Sequence, residues 1–579
     1  MDLPSSGEGF EGEPDPSFSE GEAVATHQHR PTRTTQGVAG AGALMIVAAL
    51  ISRVLGMGRE IAVAAQLGQG AWADVYKQAF MVPDLLFILL SSGALASVFV
   101  PVFTEYLEQD DRKRAWYFFS NAVTIVFLAI TAFVILGEIF IHPLTALVNQ
   151  GWVKHHQTDK LLETARLTRI VLPAQVCFFV GSILISVQYA HKHFARPALG
   201  SMVYNAFIIA FGLALAGGNP LTRAMGWPNG LGPAGFSWGA LVGAFVGNIA
   251  VQVSGVRRIG GHYRPIIDWK DPGVHTFMRL MVPIIFTLSL PQLDMQVNKF
   301  FATYLQDGSV ASLDYANRLM QLPLGILAQA AAIAIFPFIA GQAARKDMVG
   351  LKRSINMSVR AITAMTVPAS ALMIVLAEPI VRIIYQHGKF VAADTQWTAG
   401  VLVCYSVGIA AWSATTVLSR GFYALQDTWT PMSTGTVVTF LFVLMNLAVV
   451  QRFQDRGLAA STTVAAAVFA LALFWRLQKR LGGMNGMLIV SSLLKVTFAS
   501  AVMAAPAYGL RLLLTHLLTP NRPDTTTVMT TGPTIAIVTI CAAVGLAIYA
   551  VMLWVMKVDE AKFMFDKIAG RFGRRRATA

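Results

Sequence analysis

The stretch AWYFFSNAVTIVFLAITAFVILGEIFI, residues 115–141, decides the fold class of this chain. It is mostly apolar, and Glu138 is its single charged residue. A membrane-crossing helix needs roughly 20 apolar residues to cross about 30 Å of hydrocarbon, so this stretch is long enough to span a bilayer. The sequence therefore predicts a transmembrane helix here.

Similar runs recur along the whole chain. Of its 579 residues, 55% are hydrophobic and only 13% are charged, and the mean hydropathy is positive. This composition is typical of membrane proteins and not of a soluble chain divided into domains. We predict an all-α polytopic membrane protein with about 14 transmembrane helices. They lie near 40–67, 73–106, 115–141, 168–190, 197–216, 234–256, 276–304, 311–342, 358–384, 396–422, 431–451, 457–477, 486–514 and 531–556.

The two ends of the chain differ from these runs. Residues 1–37 carry seven acidic residues before Ala23 and are rich in Gly, Ser and Pro, a composition typical of disorder. Residues 557–579 form a basic tail, which suits an anionic membrane surface and equally suits solvent. With the N-terminus placed inside, about 27 of the 45 Lys and Arg fall on that side and about 11 outside. Both termini are therefore predicted to be cytoplasmic.

The distribution of basic residues, the cysteine spacing and the absence of enzyme motifs argue against several function classes. The positive loops account for much of the net charge of +14, so no nucleic-acid partner is needed. Cys177, Cys404 and Cys541 each fall inside a predicted span and have neither a disulfide framework nor metal-ligand spacing. The sequence has no complete P-loop and no HExxH, so we predict neither an enzyme nor a cofactor. Any energy for transport would come from an ion gradient or the membrane potential.

Two internal matches indicate a duplicated unit. ADVYKQAFMVPDLL (73–86) and LDYANRLMQLPLGIL (313–327) share the interval from their Asp to their Pro, displaced by 240 positions. A Tyr-Ala pair that precedes a Pro at 189–197 recurs at 423–431, displaced by 234 positions. Transporter folds are commonly built from such repeats. The agreement between the two offsets predicts a six-span unit used twice.

This duplication predicts the domain organisation. The N-lobe covers 38–258 and the C-lobe 259–480, and residues 481–556 add two further spans. Because six is even, the two lobes have the same orientation in the membrane. A binding site is expected between them.

Charged residues inside span 1 mark part of a candidate site, because ionisable groups at membrane depth are costly and usually line a cavity. Arg53 and Glu60 are seven residues apart and share a helix face, whereas Arg59 points elsewhere. Gly56 and Gly58 lie between them and are candidate hinges. Arginines that reach the lipid headgroups are the alternative interpretation.

Spans 2 and 8 carry the other candidates. Asp74 begins span 2, in which Pro83 and Gly93 predict a kink or a break. In span 8, Asp314 and Arg318 are four residues apart, which predicts a helical ion pair. A packing kink and a structural ion pair are the alternatives to a functional role.

Six motifs carry a family resemblance: SRVLGMGREIAVAAQLG, ADVYKQAFMVPDLL, SSGALASVFVPVFTEY, ANRLMQLPLGIL, IYQHGKF and RGFYALQDTWTP. In their order and spacing they resemble the MurJ/MviN lipid II flippases of the multidrug/oligosaccharidyl-lipid/polysaccharide exporter superfamily. The resemblance implies two six-helix lobes around a central basic cavity, with a C-terminal helix pair that forms a lipid-tail groove. It also implies an activity in peptidoglycan biosynthesis at the bacterial inner membrane. Such proteins move undecaprenyl-diphosphate-linked peptidoglycan precursor from the cytoplasmic to the outer leaflet by alternating access.

The resemblance also assigns site residues. It implies that Arg53, Arg59 and Arg318 bind substrate, and that Glu60 and Asp74 organise the arginines or a gate. Asp314, the predicted ion-pair partner of Arg318, is added to this cavity or gating set. Guanidinium groups suit a diphosphate because they stay charged and donate planar, bidentate hydrogen bonds.

The chain departs from the family pattern at four cavity positions. Phe87 stands where an arginine is common, and Ser92, Asn317 and Gln321 replace common acids. One cationic contact and three carboxylates of the usual constellation are therefore absent. These changes keep open a flippase for another polyprenyl-diphosphate glycan, or a non-transporting scaffold for cell-wall synthesis.

The family's sodium site is not supported by this sequence. Asn298 stands where a carboxylate is frequent, and Val450 follows Asn446 by four residues. The expected partners are lipid II or a related lipid-linked glycan, membrane lipids and proteins of cell-wall synthesis. A multidrug exporter would favour acids and aromatic residues in its cavity, and the arginines argue against it.

Overall fold

The computed structural model describes residues 33–518 and 531–558, apart from gaps at 91, 216, 218–221, 224–229 and 290–292. Within these residues the chain is helical and contains no strand. The first half of the chain contains α1 (Arg33–Leu67), α2 (Ala71–Ala79), α3 (Met81–Leu90), α4 (Ser92–Glu108), α5 (Arg112–Ile139), α6 (Ile141–Val148), α7 (Gln150–Lys154), α8 (Thr158–Val171), α9 (Ala174–Ala190), α10 (Ala195–Leu215), α11 (Pro233–Ala244), the π-helical turn π1 (Phe245–Ala250) and α12 (Val251–Arg258).

The rest of the chain is built in the same way. It contains α13 (Pro272–Ser289), α14 (Asp294–Ala302), α15 (Ser309–Pro323), the π-helical turn π2 (Leu324–Ala328), α16 (Gln329–Ala344), α17 (Met348–Val375), α18 (Ala377–Tyr385), α19 (Ala392–Ser406), α20 (Ile409–Ala424), α21 (Trp429–Leu481), α22 (Gly486–Leu518) and α23 (Thr531–Val555). The prediction of an all-α polytopic chain is confirmed. The predicted disordered N-terminal segment and basic tail lie almost wholly outside the described residues, and α1 begins five residues before the predicted boundary at 38.

The number of membrane spans is smaller by a test of length and composition. Among the described residues, nine helices are long and apolar enough to cross a membrane, or ten if the bent pair α19 and α20 is one span. Part of the difference lies in α21, where Gln454 has non-helical dihedral angles (φ 51°, ψ −141°) and separates two predicted spans. The predicted spans 73–106 and 276–304 are divided into shorter helices. The count of fourteen stays a prediction.

The helices pack as two groups, with α13 as an exception. We call residues 33–258 the first half and residues 293–481 the second half. Aromatic residues of α4 and α5 form a buried core in the first half, and Phe99 stacks on Phe118 with ring centroids 5.1 Å apart. Val274 and Phe277 of α13 join this core, so α13 packs on the first half, although the sequence placed it in the C-lobe. The appended helices α22 and α23 pack on α17 and α18.

The turn before α21 explains part of the motif RGFYALQDTWTP. The Asp427 carboxylate, two residues before the start of α21, accepts hydrogen bonds from the Thr430 amide at 2.9 Å and from its hydroxyl at 2.7 Å. Arg480, near the end of α21, also donates to it. Desolvation raises the pKa of Asp427, but these hydrogen bonds and the Arg480 charge outweigh that effect and hold the pKa below its usual value. This residue therefore ties the beginning of α21 to its end.

Candidate functional site

A cavity of about 320 Å³ lies between the two halves. Its lining includes four basic and three acidic side chains, and the rest of the wall is largely aromatic. The charged residues are Arg59, Glu60, Lys77, Asp84, Lys299, Asp314 and Arg318. Both halves contribute charges, so movement of one half against the other would change the cavity directly.

Lys77 on α2 is the centre of the charged network. It is 5% exposed, and its Nζ donates to Glu60 on α1 and, at 2.6 Å, to Asp314 on α15. Buried charges are stable only when they are paired and hydrogen-bonded, and this ammonium pairs two carboxylates at once. Lys77 therefore joins the two halves through an ion pair inside the protein.

Arg59 contacts one of these carboxylates, and Arg318 lies near both. The Arg59 guanidinium donates to Glu60 at 2.7 Å. Arg318 Nε lies 3.9 Å from both Glu60 and Asp314, too far for a hydrogen bond, and its side chain is 43% exposed. Arg318 thus keeps donor capacity that faces the cavity. The ion pair predicted between Asp314 and Arg318 is present as this loose contact.

Two basic residues of the cavity, Lys77 and Lys299, were not among the site residues predicted from the sequence. For Lys299, extension of the side chain to the lipid headgroups was the interpretation left open. In the structure both are buried, and Lys299 Nζ lies 3.8 Å from Asp314. The internal repeat could have indicated Lys77. Its two matched segments include α2, which carries Lys77, and α15, and these two helices pack together.

Arg53, the third arginine predicted to bind substrate, lies apart from this cavity. Arg53 is exposed and is not among the described residues that line it. Its guanidinium lies against Gly325 of π2, where an added β-carbon would be 2.8 Å from a terminal nitrogen. Arg53 of the first half therefore reaches the second half, at a separate contact.

The candidate hinge residues fall in different settings. Gly56 and Gly58 lie inside the uninterrupted helix α1. Pro83 is the third residue of α3, just after the break at Phe80, and Gly93 lies at the start of α4. Their role as hinges stays a prediction.

Asp74 lies one helical turn before Lys77 and seals one end of the interface between the halves. Its carboxylate accepts the backbone N–H groups of Gly308 at 2.6 Å and of Ala311 at 2.8 Å. The first amides of a helix have no partner within the helix, and a carboxylate there is also favoured by the helix dipole. Asp74 of the first half thus caps α15 of the second half.

Further hydrogen bonds close the same end, which we call the sealed end. The Lys389 amide donates to the Ala65 carbonyl at 2.8 Å, and the Tyr315 hydroxyl donates to the Gly68 carbonyl at 3.2 Å. Gly388 is in a left-handed conformation (φ +61°), and an added β-carbon would lie 2.3 Å from the Ala65 oxygen. Only glycine fits this close approach without displacement of the backbone.

Gly151→Ala is expected to force the sealed end apart. The Gly151 amide donates to the Thr303 hydroxyl at 3.0 Å, and a β-carbon at Gly151 would lie 2.2 Å from the Thr303 carbonyl carbon. Because the clash is with backbone, no rotamer change relieves it, and overpacking of this kind costs about 1–3 kcal/mol. We expect a lower unfolding temperature and faster hydrogen exchange in residues 303–311, measured by mass spectrometry.

Gly341→Ala provides the matched control. Gly341 also lies in a helix, but no atom is within 4 Å of its added β-carbon. Alanine is the better helix former, so this variant should be unchanged or slightly more stable. Wild-type exchange in Gly151→Ala would contradict the assignment of this contact to the seal.

The residues at the position of the family's sodium site form hydrogen bonds with one another. Asn298 Nδ2 donates to the Thr462 hydroxyl at 2.8 Å and to the Tyr405 hydroxyl at 3.1 Å, and Asn446 donates to Asn298 Oδ1 at 3.0 Å. These donors and acceptors are neutral. Of the side-chain polar atoms of these four residues, only Asn446 Oδ1 is buried without a hydrogen-bond partner in the described part of the chain. These four residues supply no carboxylate, so the structure adds no support for the family's sodium site.

A multi-span helical chain whose halves enclose a charged cavity, sealed at one end, has the construction of a membrane transporter. A family model described as "Lipid II flippase MurJ" matches residues 63–522. This match covers more than half of the sequence, and the chain belongs to the lipid II flippase MurJ family.

Individual relatives agree with this membership. A protein of Vibrio cholerae described as a probable lipid II flippase MurJ is 28% identical over 450 residues, which cover 75% of this chain and 82% of the relative. A protein of Rhizobium tropici with the same description is 28% identical over 456 residues, which cover 77% and 83%.

Solved structures share the fold. A lipid II flippase MurJ in an inward closed conformation superposes with a TM-score of 0.70 at 22% identity, over 89% of this chain and 99% of that one. An inward-facing multidrug resistance transporter of the MATE family gives a TM-score of 0.60 at 14% identity, over 76% and 99%. At these identities the likeness concerns the fold alone.

Proposed function

We propose that this chain moves lipid II, the undecaprenyl-diphosphate-linked peptidoglycan precursor, from the cytoplasmic to the outer leaflet of the bacterial inner membrane. Family membership supports this proposal. The observation that carries it is the set of buried and half-buried cations that both halves direct into one cavity. A diphosphate carries dense negative charge, and guanidinium and ammonium groups are its usual protein ligands.

In this mechanism, Arg318 and Arg59 bind the diphosphate. Arg318 has donors that its neighbouring carboxylates do not reach, so it is the first available contact. As the diphosphate approaches, it competes with Glu60 and Asp314 for their cationic partners. Arg53 would contact the substrate on its way to or from the cavity, because it is exposed beside π2.

The sealed end is proposed to act as the gate for alternating access. Substrate competition at Lys77 weakens an ion pair that joins the halves. Asp74 lies one turn away on the same helix, so the loosened helix α2 would carry its cap away from α15. The halves could then separate at this end while the opposite end closes, with Gly56, Gly58, Pro83 and Gly93 as hinges.

The positive-inside pattern supports the orientation proposed here. Both termini lie in the cytoplasm, and the sealed end then faces outward, because α1 begins inside and ends at that seal. We also propose that the chain is divided into an N-lobe and a C-lobe, and that α22 and α23 form a lipid-tail groove. Proteins of cell-wall synthesis are the expected protein partners.

Complementation of a cell depleted of its own lipid II flippase tests the function. We expect the wild-type chain to restore growth and to restore lipid II to the outer surface, detected by a membrane-impermeant label. Equal expression is verified by immunoblot, and an empty vector is the control. Growth failure together with absence of external lipid II would contradict the proposal.

A flippase for another polyprenyl-diphosphate glycan is the second candidate. Phe87, Asn317 and Gln321 favour it, since they replace charged residues of the family pattern, and Gln321 now donates to Asn317. Competition between lipid II and other lipid-linked diphosphates for the purified chain distinguishes the two.

A further inference from the structure

Part of the cavity wall is made of aromatic rings from the first half. Phe87 on α3 contacts Phe178 on α9 edge to face, with centroids 5.9 Å apart, and Phe178 contacts Tyr204 on α10 in the same way at 5.3 Å. Phe87 also contacts the fully buried Phe179. Phe87, Phe178 and Tyr204 all line the cavity and are only partly buried. They are held by one another, so little side-chain entropy is lost when a ligand binds.

Gln175 adds a polar group to this wall. It lies three residues before Phe178 on α9, so both side chains are on the same helix face, and both line the cavity. Gln175 is 3% exposed, and its Oε1 has no hydrogen-bond partner among the residues that the structure describes. A buried acceptor without a partner costs about 1–3 kcal/mol, and a ligand with a hydroxyl or an N–H group would satisfy it.

We infer that this wall is a sugar subsite, which binds the pyranose ring attached directly to the diphosphate. The inference rests on the proposed function. A pyranose presents C–H groups that pack on the electron-rich faces of aromatic rings, and its hydroxyl and acetamido N–H groups donate to an amide oxygen. An isoprenoid chain could use the rings but could not satisfy Gln175.

The size of the cavity limits how much of the lipid headgroup it can hold. At about 320 Å³ it is at the lower limit of ligand pockets, which range over about 300–1,000 Å³. It accommodates a diphosphate with one adjoining ring and not a whole disaccharide with its peptide. The subsite therefore binds the first sugar. Phe87 extends its aromatic wall at a position where the family resemblance implies an arginine.

Binding of two lipids that share undecaprenyl diphosphate but differ in the glycan and peptide attached to it tests this inference. The full chain in nanodiscs is titrated with lipid II and with undecaprenyl diphosphate, which lacks the sugars. We expect wild type to bind lipid II more tightly. Phe178→Leu and Gln175→Met should each weaken lipid II binding about tenfold, and should change undecaprenyl diphosphate binding less than twofold.

Two controls keep the outcomes distinct. Phe133→Leu makes the same substitution at an exposed position of α5 and should bind both lipids like wild type. Thermal unfolding verifies that each variant is folded. Equal weakening of both lipids, or no weakening in Phe178→Leu and Gln175→Met, would overturn the subsite while the diphosphate site stands. If wild type binds neither lipid, the proposed function fails with it.

Discussion

Lys77→Met should abolish complementation and also destabilise the protein. The Lys77 ammonium is buried between Glu60 and Asp314, and methionine keeps most of its volume but not its charge. Removal of one partner of a buried ion pair costs about 3–5 kcal/mol, because the remaining carboxylates lose their compensation. The affected ion pair also joins the two halves, so the transport cycle loses its connection at the cavity. We expect no growth in the depletion strain and a marked fall in unfolding temperature.

Lys495→Met is the matched control for this prediction. Lys495 lies on α22, is exposed and is outside the charged network, so its replacement should change neither growth nor unfolding temperature. A double variant, Lys77→Met with Asp314→Asn, should be less destabilised than the sum of its single variants, since the two residues are in contact. Additive effects in that cycle would show that the ion pair does not carry the stability.

Arg318→Ala should abolish transport and leave the folded state nearly unchanged. Its side chain is 43% exposed, and its Nε stays 3.9 Å from its acidic neighbours, so the pair contributes little to folding. Truncation of a cation that binds a buried phosphate costs about 3 kcal/mol, which is roughly 100-fold in affinity. We therefore expect about 100-fold weaker lipid II binding to the purified variant, with little external lipid II in the complementation assay.

Two other arginine variants refine this result. Arg318→Lys keeps the charge but loses the planar fork, and it should have an intermediate affinity. Arg112→Ala removes an arginine that is 80% exposed at the start of α5, and it should bind lipid II like wild type. If Arg318→Ala binds lipid II normally, Arg318 is not a diphosphate ligand.

The contrast between Lys77 and Arg318 shows how much of the site could be located from the sequence. Arg59, Glu60, Asp314 and Arg318 were found because charges at membrane depth are conspicuous in an apolar sequence, and the structure places all four at one cavity. Lys77 was given no role, since a single sequence does not reveal whether a lysine extends to solvent or is buried. Its importance depends on carboxylates that are 17 and 237 residues away.

The same limit explains the placement of Asp74 and Arg53. Their charge and their approximate depth follow from the sequence, but their partners do not. Asp74 binds backbone amides of a helix in the other half, and backbone amides leave no signal in a sequence. Arg53 lies beside Gly325, at a contact outside the main cavity.

The run 115–141 and its counterparts determined the fold class by themselves, because the length and apolarity of a helix suffice for the bilayer. The repeat in turn related two segments that pack together. The tertiary structure alone decided where each charge lies, which helices are broken and which wall of the cavity is aromatic. These features depend on contacts between residues far apart in the chain, and the energy of a buried charge is set by its neighbours in space and not by those in sequence.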